Sequence, residues 1–171
     1  MSSEDYFLYF GIPRKYAIDQ AELRKKFYAL SRTLHPDLST SYSEENDHRR
    51  ISHHNNAYKT LSDPILRLRH ILELEGVTAL LEKQPASDFL FEMMEIGEEI
   101  SEFTSDQGKK TDLEKRLQRM KQESDEKALK AVHRYDLGEG DALTLEQLAD
   151  WYIQQRYLRR LTMTLRGSEE M

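Results

Sequence analysis

One short string in this sequence holds chemical groups with little freedom: His35-Pro36-Asp37. Proline fixes its own backbone angle and pushes the preceding residue out of helix, so an imidazole and a carboxylate flank a stiff bend. A neighbouring histidine and aspartate can serve acid–base catalysis, but no nucleophile, metal cluster or phosphate loop accompanies this pair. A carboxylate on a rigid turn suits instead a charge-assisted hydrogen bond to a partner. His48, His53 and His54 cluster on one segment, yet His48 stands five and six residues from the other two. Neither spacing is the i, i+4 step that a helical metal site prefers, and the chain has no cysteine. Disulfides, thiol catalysis and a cysteine-ligated zinc or iron–sulfur centre are thereby excluded from this chain. The acidic loop from Asp136 to Asp141 lacks the alternating oxygen ligands of a calcium loop. No metal and no cofactor is expected.

The elements that must position the bend are helices. Only 7 Gly and 4 Pro occur in 171 residues, and long stretches are rich in Leu, Glu, Lys and Arg. Asp19 can cap a helix in which Leu23, Phe27, Leu30 and Leu34 recur at helical intervals. Arg24, Lys25, Lys26 and Arg32 fall largely off that stripe, and Pro36 ends the helix. A second helix spans about 43–61, with Ile51, Ala57, Tyr58 and Leu61 as its expected buried side. Asp63-Pro64 starts a short third helix that stops at Gly76. Residues 77–86 read as a linker, and helical segments follow at about 87–104, 110–136 and 143–166. Short loops between long helices imply antiparallel neighbours, hence a three-helix bundle over 87–171.

Charge divides the chain unevenly. Residues 1–76 carry 11 basic and 11 acidic side chains, so the whole net charge of −6 falls on residues 77–171. An acidic half disfavours nucleic acid as its partner. The basic stretch Lys109, Lys110, Lys115, Arg116, Arg119 and Lys121 is interleaved with acids and reads as a solvated helix face. No apolar run approaches the ~20 residues of a membrane helix, and the polar, acidic start is unlike a signal peptide. A cytoplasmic protein is the default expectation.

The context of the bend resembles the J domain. Asp5-Tyr6-Phe7 and Phe10-Gly11-Ile12-Pro13 are similar to the start of the family's HscB branch. Asn56-Ala57-Tyr58-Lys59-Thr60-Leu61-Ser62-Asp63-Pro64 resembles its third helix and stop, and Arg67 with Leu72 fits the HscB pattern beyond that stop. Leu38 and Leu34 depart from the basic and aromatic residues frequent beside the motif. The resemblance covers residues 1–76. It implies docking to a DnaK-class ATPase chaperone, HscA in the HscB pairing, through His35, Pro36 and Asp37 supported by Arg24, Lys25, Lys26 and Arg32.

The segment after Pro85 has more apolar surface than one core face can use. At ~100° per residue, Phe89, Met93, Ile96, Ile100 and Phe103 share one arc, while Leu90, Phe91 and Met94 point elsewhere. Glu95, Glu98 and Glu102 lie beside them. The residues alone leave two readings open, a contact with another bundle helix or an exposed protein-binding patch. The run from Asp88 to Ile100 resembles the HscB helix that holds the iron–sulfur scaffold IscU. That resemblance implies Leu90, Phe91, Met94, Glu95, Glu98 and Glu102 as scaffold contacts, with Tyr157 on the last helix as a further one.

The expectation is an all-α, L-shaped protein: a J domain over 1–76, a linker over 77–86 and a three-helix bundle over 87–171. As implied by the resemblance, it is a co-chaperone and not an enzyme: it delivers IscU to HscA and stimulates ATP hydrolysis, and binds neither nucleic acid nor membrane. The alternatives are a J-domain protein presenting another or unfolded client, and a helical adaptor unrelated to chaperones.

Overall fold

The computed structural model describes residues 4–34, 44–102 and 106–167. Every regular element among them is helical, and the chain divides into two compact units, Met1–Gly76 and Val77–Met171.

Unit 1 opens with a helix that the sequence reading does not assign, α1 (Tyr6–Phe10). Five residues are too few for periodicity to reveal, but both stops are present. The Asp5 carboxylate accepts the amides of Phe7 and Leu8 at 2.9 and 3.1 Å. Gly11 closes the other end in the left-handed region, φ 60°, where a side chain would be strained. Helix α2 (Gln20–Thr33) starts at the Asp19 cap and ends at Leu34. Helices α3 (Glu44–Ser62) and α4 (Pro64–Leu74) are separated by Asp63, which caps α4 through the amides of Ile65 and Leu66. Phe27 rests on Tyr58 while Ser31 reaches His54, so α2 and α3 run antiparallel. Phe7, Phe10, Leu23, Ala57, Leu61, Leu68, Ile71 and Leu72 fill the core.

His54, not Ile51, occupies the buried stripe of α3; Ile51 lies at its edge, 37% exposed. A histidine can stand in a core only if its polar atoms are satisfied. Here Ser31 Oγ donates to the Phe27 carbonyl at 2.8 Å, so its lone pair takes the His54 Nε2 proton at 2.9 Å. His54 Nδ1 then accepts from the Tyr9 hydroxyl at 3.1 Å, and the ring stacks on Phe27 with centroids 4.4 Å apart. His70 is fixed similarly: its Nε2 accepts the Tyr6 amide at 3.2 Å, and its ring stacks on Tyr6. Both bonds require neutral imidazoles, and burial holds both groups below the ordinary 6.5. Buried Arg67 donates to the Leu61 carbonyl and lies 5.0 Å from the Tyr16 ring centroid, closing the α3–α4 corner.

Unit 2 begins inside the stretch read as a linker. Residues Thr78–Glu82 form a 3-10 turn packed on the last helix, and Lys83 pairs with Glu146 at 2.7 Å. Three long helices follow: α5 (Ser87–Ser101), α6 (Gln107–Asp136) and α7 (Ala142–Gly167). Asp106 caps α6, which starts at Gln107 and not at the expected 110, so Gly108 lies in its first turn, and Lys110, read as part of a solvated face, is buried. One core layer joins Met93, Ile96 and Ile100 to Leu113, Leu117, Leu158 and Leu165. Phe103, expected on this stripe, lies outside the described residues. Next to this layer α6 and α7 share a polar layer: Asp125 Oδ1 accepts from Trp151 Nε1 at 3.0 Å and from Gln155 Nε2 at 2.9 Å. Ser124 donates to Gln154 at 2.7 Å in the same layer.

Candidate functional site

Two surfaces carry the residues singled out above, one in each unit. His35, Pro36 and Asp37 lie outside the described residues. What the structure shows is the helix leading to them. Arg24, Lys25 and Arg32 are exposed along α2, and no ion pair engages them among the described residues. Their positions share one helical face.

Lys26 does not join them. Its ammonium donates to the Gly11 carbonyl at 2.7 Å and stands 3.6 Å from Glu22, so it ties α2 to the end of α1. In its place the exposed face contains Tyr28, 58% exposed and four residues from both Arg24 and Arg32. Sequence reasoning misses Tyr28, although its spacing from the two arginines is a signal that could find it. An aromatic ring set among guanidinium groups is well suited to a protein contact, because it offers area at low entropic cost.

On unit 2, α5 buries Met93, Ile96 and Ile100 and turns the rest outward. Phe91 is 66% exposed and Met94 55%, with Leu90 half-buried beside them. Glu95, Glu98 and Glu102 are exposed and follow Phe91 at i+4, i+7 and i+11, one continuous face. The apolar residues off the core stripe are therefore not taken up by a neighbouring helix, and the patch is rimmed by carboxylates. Arg116 reaches across from α6 to Glu92, Glu95 and Glu99 at 3.5, 3.5 and 3.0 Å. It props the acidic edge from one side and neutralises part of it. Glu98 and Glu102 are exposed and have no ion pair among the described residues.

Tyr157 stands apart from this outward face. It is half-buried in the α5–α7 seam, edge-on to Phe89 with centroids 6.3 Å apart. Gly97 lies at the same seam, where an added β-carbon would stand 3.8 Å from a Leu161 methyl, an ordinary contact distance. The histidines of α3 hold no place in either surface, since His54 spends both ring nitrogens on Tyr9 and Ser31. None of the described helices is long and apolar enough to cross a membrane.

Comparison with known proteins matches both units. Residues 5–70 fit the model of the DnaJ domain, and residues 85–166 fit that of the HSCB C-terminal oligomerisation domain. The fold is similar to the crystal structure of the human co-chaperone protein HscB, with a TM-score of 0.76 and 22% identity. That match covers 99% of this chain and 84% of the human one. It is also similar to the chaperone HscB from Vibrio cholerae, with a TM-score of 0.74, 23% identity and 98% of each chain covered. A basic helix running into His-Pro-Asp, followed in the same chain by a bundle of the HSCB type, places this protein among the HscB-type J-domain co-chaperones of iron–sulfur cluster assembly.

Proposed function

We propose that unit 2 binds an IscU-type iron–sulfur scaffold through α5 and that unit 1 brings this cargo to a DnaK-class ATPase of the HscA kind, whose hydrolysis it stimulates. The observation that carries the reading is the outward patch of Leu90, Phe91 and Met94 edged by Glu95, Glu98 and Glu102. Large apolar side chains left in water beside carboxylates, of which Glu98 and Glu102 have no ion pair among the described residues, favour a folded partner with a basic, partly apolar surface. Tyr157 supports the patch from the seam. On unit 1, Arg24, Lys25 and Arg32 steer an acidic surface of the ATPase, and the Asp37 carboxylate makes the oriented bond that triggers hydrolysis.

Two measurements test this. Calorimetry with purified scaffold should show Phe91→Ala or Met94→Ala weakening binding by about 1–3 kcal/mol each, with helix content unchanged. A bundle that melts in either variant would mark those residues as core and sink the assignment. Stimulation of ATP hydrolysis by a DnaK-class chaperone should vanish in Asp37→Asn while scaffold binding persists. Full stimulation by that variant would overturn the role given to Asp37, and no stimulation by the native chain would leave a helical adaptor without a J-domain role.

A further inference from the structure

The last half of α7 has a charge pattern that the α5 patch leaves unexplained. From Trp151 to Gly167 the helix carries Arg156, Arg159, Arg160 and Arg166 and no carboxylate, within a half-chain whose net charge is −6. The core side of this stretch is marked by buried Leu158 and Leu165. At ~100° per residue, Arg156, Arg160 and Met163 fall within an arc of about 60° on the opposite side. Arg156, Arg160 and Met163 are all exposed, and the Arg156 guanidinium lies over the Tyr152 ring at 5.8 Å. No ion pair engages Arg156 or Arg160 among the described residues. Arg156 and Arg160, one helical turn apart, repel each other, so their placement costs stability unless something anionic meets them.

The seam contacts fix which flank of α7 adjoins α5. Tyr157 meets Phe89, and Leu161 meets Gly97. Arg160 lies one step outward from both tyrosine and leucine on the helical wheel. Crossing the seam from α7 to α5, the surface passes from Arg156 and Arg160, over Tyr157 and Leu161, to Leu90 and Met94, and ends at Glu98 and Glu102. The strip is cationic at one edge, apolar in the middle and anionic at the other.

We propose that Arg156 and Arg160 form a second, cationic edge of the scaffold-binding surface and set the orientation in which the scaffold docks. The proposal rests on the scaffold-binding reading above and extends it. The partner it requires is a folded protein with an apolar docking centre, a basic group on the side facing α5 and an acidic group on the side facing α7. A surface with charges of one sign would hold such a partner in either of two directions. A surface with opposite signs at its two edges rejects the reversed one, because like charges would then meet.

The test is scaffold binding to the full chain at about 50 and 500 mM salt, a range across which exposed charge pairs fade. Arg156→Glu/Arg160→Glu should bind the scaffold about 10–100-fold more weakly at low salt, mainly through a slower association rate, and the deficit should shrink at high salt. Arg156→Lys/Arg160→Lys, which keeps the charge, should stay within about threefold of the native chain. Arg119→Glu, the same reversal on α6, serves as the control and should change binding little. If the double reversal unfolds the bundle, Arg160→Gln is read instead, with a loss of about threefold expected at low salt. Native binding by the folded double reversal, with Phe91→Ala still defective, overturns the cationic edge and leaves the α5 site standing. An equal loss in Arg119→Glu also overturns it, since net charge alone would then explain the effect. Failure of the native chain to bind scaffold removes both readings together.

Discussion

The two units solve the problem of a small interior with different materials. Unit 1 surrounds a few aliphatic residues with Phe7, Phe10, Phe27, Tyr6, Tyr9 and Tyr58 and threads His54, His70 and Arg67 among them. Unit 2 stacks Met93, Ile96, Ile100, Leu113, Leu117, Leu158 and Leu165, and sets the Asp125, Trp151 and Gln155 contacts in one layer between α6 and α7. Aliphatic packing is non-directional and depends on the area removed from water. A ring cluster with hydrogen-bonded histidines depends on orientation and on protonation state. The DnaJ-type unit is thus the more exacting about geometry, while the HSCB-type unit is built as a plain girder.

Substitutions can break this contrast. The largest effect is expected in unit 2. Ile96→Ala removes a fully buried side chain from the middle of the aliphatic layer and should destabilise the bundle by about 2–5 kcal/mol, measured by urea unfolding followed at Trp151. A loss below about 1 kcal/mol would mean that the layer is loosely packed. Next in size is His54→Leu, nearly equal in bulk. It leaves the Tyr9 hydroxyl and the Ser31 lone pair without their partner and should cost unit 1 about 1–3 kcal/mol, read by the tyrosine signal and far-ultraviolet circular dichroism. An unchanged or more stable unit 1 would show that shape alone matters there.

Acid sharpens the same contrast with a smaller, graded effect. In the unfolded chain His54 and His70 take up protons near pH 6.5, but in the folded unit burial delays uptake to lower pH. Below 6.5 the unfolded state therefore binds more protons, so stability falls as the pH drops, and above that value these two groups contribute no slope. Burial pushes Asp5 up, yet its bonds to Arg14 and to the Leu8 and Phe7 amides outweigh this and hold it below 3.8. A second loss sets in only as the pH falls past that point. The single tryptophan, Trp151, belongs to unit 2, where the one histidine, His133, is exposed. Lowering the pH from about 7 to about 5 should weaken unit 1 against urea while the Trp151 transition stays in place. Coincident shifts of both signals would defeat the distinction.

Much of the arrangement is readable from residue types. Asp19, Asp63 and Gly76 announce helix ends because caps and left-handed stops are local chemistry. The surplus apolar residues of α5 show up because ten or more residues at one period leave an arithmetic excess. What escapes reading depends on partners distant in the chain. His54 looks polar until Tyr9 and Ser31 are brought to its two nitrogens. Lys26 looks like its basic neighbours until Gly11, 15 residues earlier, offers a carbonyl. Helix α1 escapes for the opposite reason, being too short for any period, so that only Asp5 and Gly11 mark it. Arg116 cannot be matched to α5 in advance, since the pairing of faces between long helices is decided by packing.

The layer formed by Ser124, Asp125, Trp151 and Gln155 has a consequence for how α6 and α7 mesh. Two long helices with leucines along their inner sides can slide by a turn and still bury apolar area. Such a slip would pull the indole and the amide off the Asp125 oxygen and leave the Ser124 hydroxyl stranded. Each donor or acceptor left dry costs on the order of 1–3 kcal/mol. The layer works as a pawl that admits a single notch, so the distance along the rod from the turn at Gly138 to Tyr157 is held constant in every copy of the molecule.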